Sequence, residues 1–367
     1  MKITEIEIYK LNIPLHEPFV ISIGKYDSAT NILIKIKTDT EFVGYGECSP
    51  LVNLVGETQE TEFELAKNFA YVLKGKSPLE LEDRLAELEK AIPGNYTIKS
   101  AFDMALYDLA SQNAGIPLYK FLGGSNSRDI YTDMTVSISS PEKMASDALK
   151  FKNDGFPSIK IKLGGGYPED VKRVQAVRDA IGYDIPLRID ANQGWDTVTA
   201  IKVLNALDKF DIDHCEEPVA KWNNRALKTV RDASPIAIMA DESVFDHRDA
   251  FRIVSMEACD YINIKLSKSG GINTALKIVA IAESAGIKTQ VGCMLESRLG
   301  LTALTHLVAS RSNIVHFDID SSLMHSEDPV VGGIEYVGNG KWILPETIGL
   351  GATIKQDFLD KMEMVVI

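Results

Sequence analysis

The strongest constraint on the fold is a repeat that occupies the second part of the chain. From "IYTDMTVSIS" onward, short β-branched segments alternate with amphipathic helical ones. The strand-like segments are TDMTVSI, SIKIKL, PLRIDAN, DHCEEP, IAIMADES, YINIKLS, TQVGCM and VHFDID. They recur every roughly 25–29 residues, with helical patterns such as PEDVKRVQAVRDAIG and INTALKIVAIAESAG between them. Strict alternation of this kind requires a parallel sheet covered by helices, so each strand is buried on both faces. Eight evenly spaced units favour closure into a (β/α)-barrel over an open doubly wound sheet.

The residues before the repeat read differently. ITEIEIYKLNIPL, TNILIKIKTD and EFVGYGECSP are strands joined by turns. TQETEFELAKNFAYVLKG and IKSAFDMALYDLASQNAG are helical, the second stopped by Asn-Ala-Gly with Pro117 just beyond. Residues 1–125 are therefore expected to form a small α+β domain, and 126–325 the barrel. Residues 326–367 are strand and turn material expected to return to the first domain.

The barrel strands end in ionisable residues. Lys160 and Lys162 lie on strand two, Asp190 and Asn192 at the end of strand three, and Glu216-Glu217 at the end of strand four. Asp241-Glu242-Ser243 ends strand five, Asn263 and Lys265 lie on strand six, and Asp318 and Asp320 on strand eight. The C-terminal strand ends form the active-site face of a barrel. Side chains alternate along a strand, so Lys160 and Lys162 share one face, and a closed barrel turns that face inward. Strands three to five are neighbours, which lets Asp190, Glu216 and Asp241 converge. Three carboxylates repel unless a cation sits among them, and all-oxygen ligation suits Mg²⁺ or Mn²⁺ rather than zinc. Adjacent acids face opposite ways, so parity leaves open which member of 216/217 and of 241/242 ligates.

Strands two and six are four apart in a ring of eight, hence opposed. Lys162 and Lys265 would reach a substrate from its two sides, an arrangement suited to removing a proton from one face of a carbon and returning it to the other. Lys268, beyond the strand end, reads as a surface or phosphate-binding lysine. Asp318 and Asp320 lie round the ring from the acid trio and suit a cationic substrate group such as an amine. Cys293 and Met294 end strand seven and are placed at the pocket wall. His214 reads as a packed residue behind the strand-four acids, and the Gly164–Gly166 run as a hinge at the rim.

The formal net charge of −13 argues against nucleic acid or an anionic membrane as partner. The alternating start carries no signal-peptide pattern, no apolar run reaches transmembrane length, and four scattered cysteines fit a reducing cytoplasm.

On the motifs GYGECSP, ALYDLASQNAGIPLYKFLGG, KIK, DANQGW, EEP, ADES and NIKLSKSGG, spread over the whole chain, the sequence resembles the muconate-lactonizing-enzyme subgroup of the enolase superfamily. The resemblance implies a modified TIM barrel, (β/α)7β, under an α+β cap. It implies one Mg²⁺ per subunit on Asp190, Glu216 and Asp241, with Lys162 and Lys265 as acid/base pair. It makes Lys160 a substrate-binding or tuning residue, and Asn192 and Glu242 supports behind the ligands. The strand-eight DxD is similar to the motif by which dipeptide epimerases hold a free N-terminal ammonium. The implied activity is epimerisation at the C-terminal residue of a dipeptide, L-Ala-D/L-Glu from murein peptides first. Dipeptides with apolar side chains, or a cycloisomerase or o-succinylbenzoate synthase reaction, are the alternatives. Glu-selective members carry a basic residue in the cap loop, for which Lys25 is the candidate here. Thr135 is expected to touch the dipeptide backbone with Ser137 behind it, and the assembly is expected to be a homo-oligomer.

Overall fold

The computed structural model describes residues 1–367. Alternating apolar residues near the N-terminus build an antiparallel meander: β1 (Ile3–Ile21), β2 (Gly24–Thr38) and β3 (Val43–Cys48). One sheet face carries Ile6, Ile8, Ile32, Ile34 and Ile36, which pack with Phe63, Phe69 and Phe102 from the cap helices. The other carries Tyr9, Leu11, Ile13 and Leu33, which join the core of the barrel. The sheet is thus a middle layer between helices and barrel, which explains why both faces of its strands are apolar.

Three helices cover the outer face: α1 (Gln59–Leu73), α2 (Leu81–Ala91) and α3 (Tyr96–Asn113). Thr58 caps α1, accepting from the Thr61 amide, while Thr61 reciprocates at the Thr58 amide. The approach of α3 to β3 depends on glycine. A Cβ at Gly46 would lie 1.9 Å from the Ala101 carbonyl oxygen, so only hydrogen fits there.

The repeat forms a single eight-stranded parallel sheet in chain order. Its strands are β4 (Met134–Val136), β5 (Ile159–Lys162), β6 (Leu187–Asp190), β7 (Ile212–Glu216), β8 (Ala237–Ala240), β9 (Tyr261–Ile264), β10 (Lys288–Gly292) and β11 (Ile314–Asp318). Seven crossover helices link them: α4 (Pro141–Asn153), α5 (Glu169–Ile181), α6 (Thr197–Leu207), α7 (Asn224–Ala233), α8 (His247–Ser255), α9 (Ile272–Ser284) and α10 (Arg298–Ser310). No crossover helix follows β11, so the barrel is (β/α)7β. The seam between β4 and β11 has sparse backbone pairing. The Asp133 amide donates to the Phe317 carbonyl at 3.2 Å, and the Thr135 amide to Asp320 Oδ2 at 2.8 Å. A side chain of the DxD pair therefore takes part in closing the barrel.

The tail strand β12 (Met364–Val366) pairs antiparallel with Glu7–Tyr9 of β1. No helix is long and apolar enough to cross a membrane. All four cysteines are free thiols.

The triple glycine is not a hinge. The amides of Gly164, Gly165 and Gly166 all donate to buried Asp170 on α5, which also accepts from the Trp195 indole. Gly164 has φ +123°, and a Cβ there would lie 2.5 Å from Ser22 Cβ. This fixed turn is the seat on which the β1–β2 turn of the cap rests. Ser22 Oγ completes the docking by donating to the Asn192 carbonyl at 2.7 Å.

Candidate active site

The C-terminal ends of β5 to β9 bring the expected acids and lysines together. Asp190, Glu216 and Asp241 are all fully buried. Lys162 lies 2.7 Å from Asp190 Oδ2, and Lys265 lies 2.8 Å from Asp241 Oδ2. Lys160 sits lower in the barrel, 2.7 Å from Glu216, 2.8 Å from Asp318 and 3.3 Å from Asp190.

Lys268 departs from its sequence reading. It is fully buried and lies 2.6 Å from Asp241 Oδ1, donating also to the Asn263 carbonyl. Its place in a short helical turn, Leu266–Ser269, swings it back under the strand end. A lysine three residues after another at the start of a helix shares its side, which was the available signal.

Other groups fix the orientation of the carboxylates. Asn263 Nδ2 donates to Glu216 Oε1 at 2.8 Å and Gln290 Nε2 to Glu216 Oε2 at 3.2 Å. The Asn192 amide donates to Asp190 Oδ1 at 2.8 Å. Glu217 points the other way, accepting from the Asp241 amide at 2.7 Å and from Ser243. Strand parity thus separates Glu216, turned to the barrel interior, from Glu217.

The electrostatics are uneven. Burial works to raise Asp190 and Glu216, yet Lys162, Lys160 and Lys265 hold Asp190 below the usual carboxylate range, and Lys160 and Lys265 hold Glu216 there. Glu242 is pushed far up by burial and by its neighbours Asp241, Glu217 and Asp190. Glu242 Oε2 and Asn192 Oδ1 are buried without a hydrogen-bond partner. A surplus of acceptor oxygens beside converging carboxylates fits a hard divalent cation such as Mg²⁺.

Above the acids lies a cavity bounded by cap and barrel. Phe19, Ile21, Leu51 and Leu54 come from the cap, Lys162 and Lys265 from opposed strand ends. Thr135, Asn192, Cys293, Met294, Asp318, Asp320 and Met324 complete its wall. Lys162 Nζ lies 5.8 Å from the Phe19 ring centroid, so this ammonium faces an aromatic lid. Asp320 is pushed up to about 6 by burial and by Asp318. The cap residues of this wall were not legible beforehand, because nothing local tells Leu51 or Leu54 from core.

Two expected residues lie elsewhere. Lys25 is exposed, 3.5 Å from Asp27, and lines an outer cleft with Lys143 and Lys150 that adjoins the cavity at Phe19, Thr135 and Met324. It lies on β2 opposite Val20, just beyond the turn. Ser137 lines that same cleft, and its hydroxyl accepts from the Val20 amide at 3.3 Å, so it supports the cap strand. His214 is packed in the barrel two residues before Glu216.

Comparison with known proteins agrees with this geometry. Residues 3–123 match the mandelate racemase / muconate lactonizing enzyme N-terminal domain, and residues 143–358 the enolase C-terminal domain-like family. The chain is 47% identical to a D-Ala-D/L-Ala epimerase of Cytophaga hutchinsonii over the full length of both. It is 42% identical to an L-Ala-D/L-Glu epimerase of Clostridium acetobutylicum, covering 96% of this chain and 98% of that one. The crystal structure of a Cytophaga hutchinsonii dipeptide epimerase with Mg and D-Ala-L-Val superposes with a TM-score of 0.99, at 47% identity and complete coverage of both chains. The chain belongs to the mandelate racemase / muconate lactonizing enzyme family of enolase-type barrels.

Proposed function

We propose that the protein is a Mg²⁺-dependent dipeptide epimerase that inverts the α-carbon of the C-terminal residue. The observation that carries this reading is that Lys162 and Lys265 line one cavity from opposed strands, with Asp318 and Asp320 on a third side. Asp190, Glu216 and Asp241 would hold the ion, which when bound supplies positive charge for the substrate carboxylate and for the charge that develops as the α-proton leaves. One lysine, as the neutral amine, takes that proton, and the other, as ammonium, returns one to the opposite face. The two exchange roles for the reverse reaction. Asp320, with Asp318 beside it, binds the free ammonium of the dipeptide, and the cap residues exclude water from the carbanionic intermediate.

The wall of the cavity favours an apolar C-terminal side chain over glutamate. Phe19, Ile21, Leu51, Leu54, Met294 and Met324 are apolar, the cations on the wall itself are the proposed acid/base pair, and Lys25 of the adjoining cleft is exposed beside Asp27. A substrate γ-carboxylate would be desolvated there without a partner of its own. The relatives from Cytophaga hutchinsonii, with Ala and Val dipeptides, support this choice.

Incubation with L-Ala-L-Val and its epimers in D₂O with Mg²⁺ tests the reaction. Deuterium should enter the C-terminal α-position of both epimers as they interconvert. Turnover with retention of the α-proton would overturn the reading. Faster turnover of Ala-Glu than of Ala-Val would overturn the side-chain assignment alone.

A further inference from the structure

Two residues before Glu216 on β7, and two before Asp318 on β11, the barrel carries a second set of ionisable groups. The stagger places them about 6–7 Å below the acids described above, towards the barrel floor. His214 is fully buried, and neither of its ring nitrogens has a hydrogen-bond partner. A buried polar group left bare costs about 1–3 kcal/mol and calls for an explanation. Its Nδ1 lies 3.6 Å from Asp213 Oδ2, and its ring centroid 5.1 Å from that of His316. One ligand atom from each of Asp213, His214 and His316 lies within 4.8 Å of the other two.

We propose that Asp213, His214 and His316 form a binding site for a transition-metal ion of the zinc type at the floor of the barrel. Two imidazoles and one carboxylate are a borderline-soft donor set, suited to Zn²⁺ or Co²⁺ and foreign to Mg²⁺. Ligands bound at roughly 2.0–2.2 Å in a tetrahedron stand somewhat over 3 Å apart, so the 3.6 Å separation of His214 and Asp213 needs little adjustment. Entry from solvent exists, because Asp213 keeps 31% side-chain exposure and His316 is half-buried. The fourth coordination position would face that opening.

Arg188 is the competing cation. It lies 2.9 Å from His316 Nδ1 and 3.3 Å from Asp213 Oδ2, but also 2.8 Å from the fully buried Asp133. Asp133 alone can keep its charge matched, so the ion displaces Arg188 from two contacts without leaving it unpaired. Strands β7 and β11 stand on opposite walls, and an ion between them cross-links the barrel.

The test uses the full chain saturated with Mg²⁺, with Co²⁺ as probe. One equivalent should bind and give the intense visible bands of a four-coordinate site. His214→Gln and His316→Gln should each lose those bands while still binding Mg²⁺. Zn²⁺-soaked crystals of the unaltered protein should show anomalous density between the three side chains, a readout independent of whether the variants fold. Absence of that density, or bands that persist in both variants, would overturn the proposal.

Discussion

Lys160 and Asp318 form a buried ion pair, Nζ to Oδ2 at 2.8 Å, between strands β5 and β11. The same ammonium reaches Glu216 at 2.7 Å, so one lysine ties the DxD pair to the acid trio. The first aspartate of the DxD is therefore already matched, and the second faces a substrate amine more freely. Asp320 Oδ1 has only the Cys293 thiol near it, at 3.7 Å.

Asp320→Asn should raise KM for dipeptides with a free amine by about 10–100-fold, the loss of one charge-assisted hydrogen bond. The N-acetylated dipeptide, a poor substrate throughout, should be affected little. Steady-state kinetics on the two substrates decide this, and an equal loss on both would refute ammonium binding by Asp320.

Lys162→Met and Lys265→Met should each abolish epimerisation, by at least roughly 10²–10⁴-fold. Each variant should still exchange the α-proton of one epimer with D₂O, and the two variants should act on opposite epimers. Loss of exchange with both epimers in either variant would count against paired bases on two faces.

Chelation of divalent cations should abolish turnover, with recovery on adding Mg²⁺. The ion should also stabilise the fold, since its charge offsets the repulsion that Asp241 exerts on Asp190 and Asp190 on Glu216. At a hundredfold excess over its dissociation constant the gain is about 2.7 kcal/mol, visible as a rise in Tm. Equal Tm with and without Mg²⁺ would contradict a cation among these acids.

His306 sets a pH dependence of stability. Its Nδ1 accepts from the Tyr119 amide at 3.1 Å and its Nε2 faces the Leu350 carbonyl at 3.0 Å, which the neutral ring satisfies. Burial pushes its pKa down to about 4, against roughly 6.5 in the unfolded chain. Its contribution is fully present above the unfolded value and is lost as pH falls through 4, about 3 kcal/mol in all. Urea titrations of the wild type and His306→Gln between pH 4 and 7 should differ in slope by this group alone.

Gly46→Ala should destabilise the cap by about 3 kcal/mol or more, because the added methyl meets backbone rather than a side chain that can move. Thermal melts of the variant should show the loss, and a Tm within a degree of wild type would refute the close packing.

The repeat was legible because period-two and helical patterns alternate cleanly from residue 130 onward, and all eight quoted segments lie in one sheet. Parity alone put Lys160, Lys162 and Lys265 inside, where the structure has them. Lys268 escaped that logic, because it follows a strand end into a helical turn, where the period changes. Lys25 lies on the adjoining cleft and not on the cavity wall, a distinction the sequence does not carry because the register of a hairpin turn decides which side chain overhangs a cavity. The cap residues Leu51 and Leu54 acquire their role only through docking between distant segments.

The pairing of β12 with β1 has a consequence for the order of events during synthesis. The cap sheet gains its edge strand only once residue 366 has been made, after every strand of the barrel. Phe19 and Ile21, near the end of β1, form part of the lid over the two lysines. Those two residues pair with Tyr26 and Gly24 of β2, so the lid can be laid down before residue 364 exists, whereas the outer edge of the cap sheet at Glu7–Tyr9 cannot.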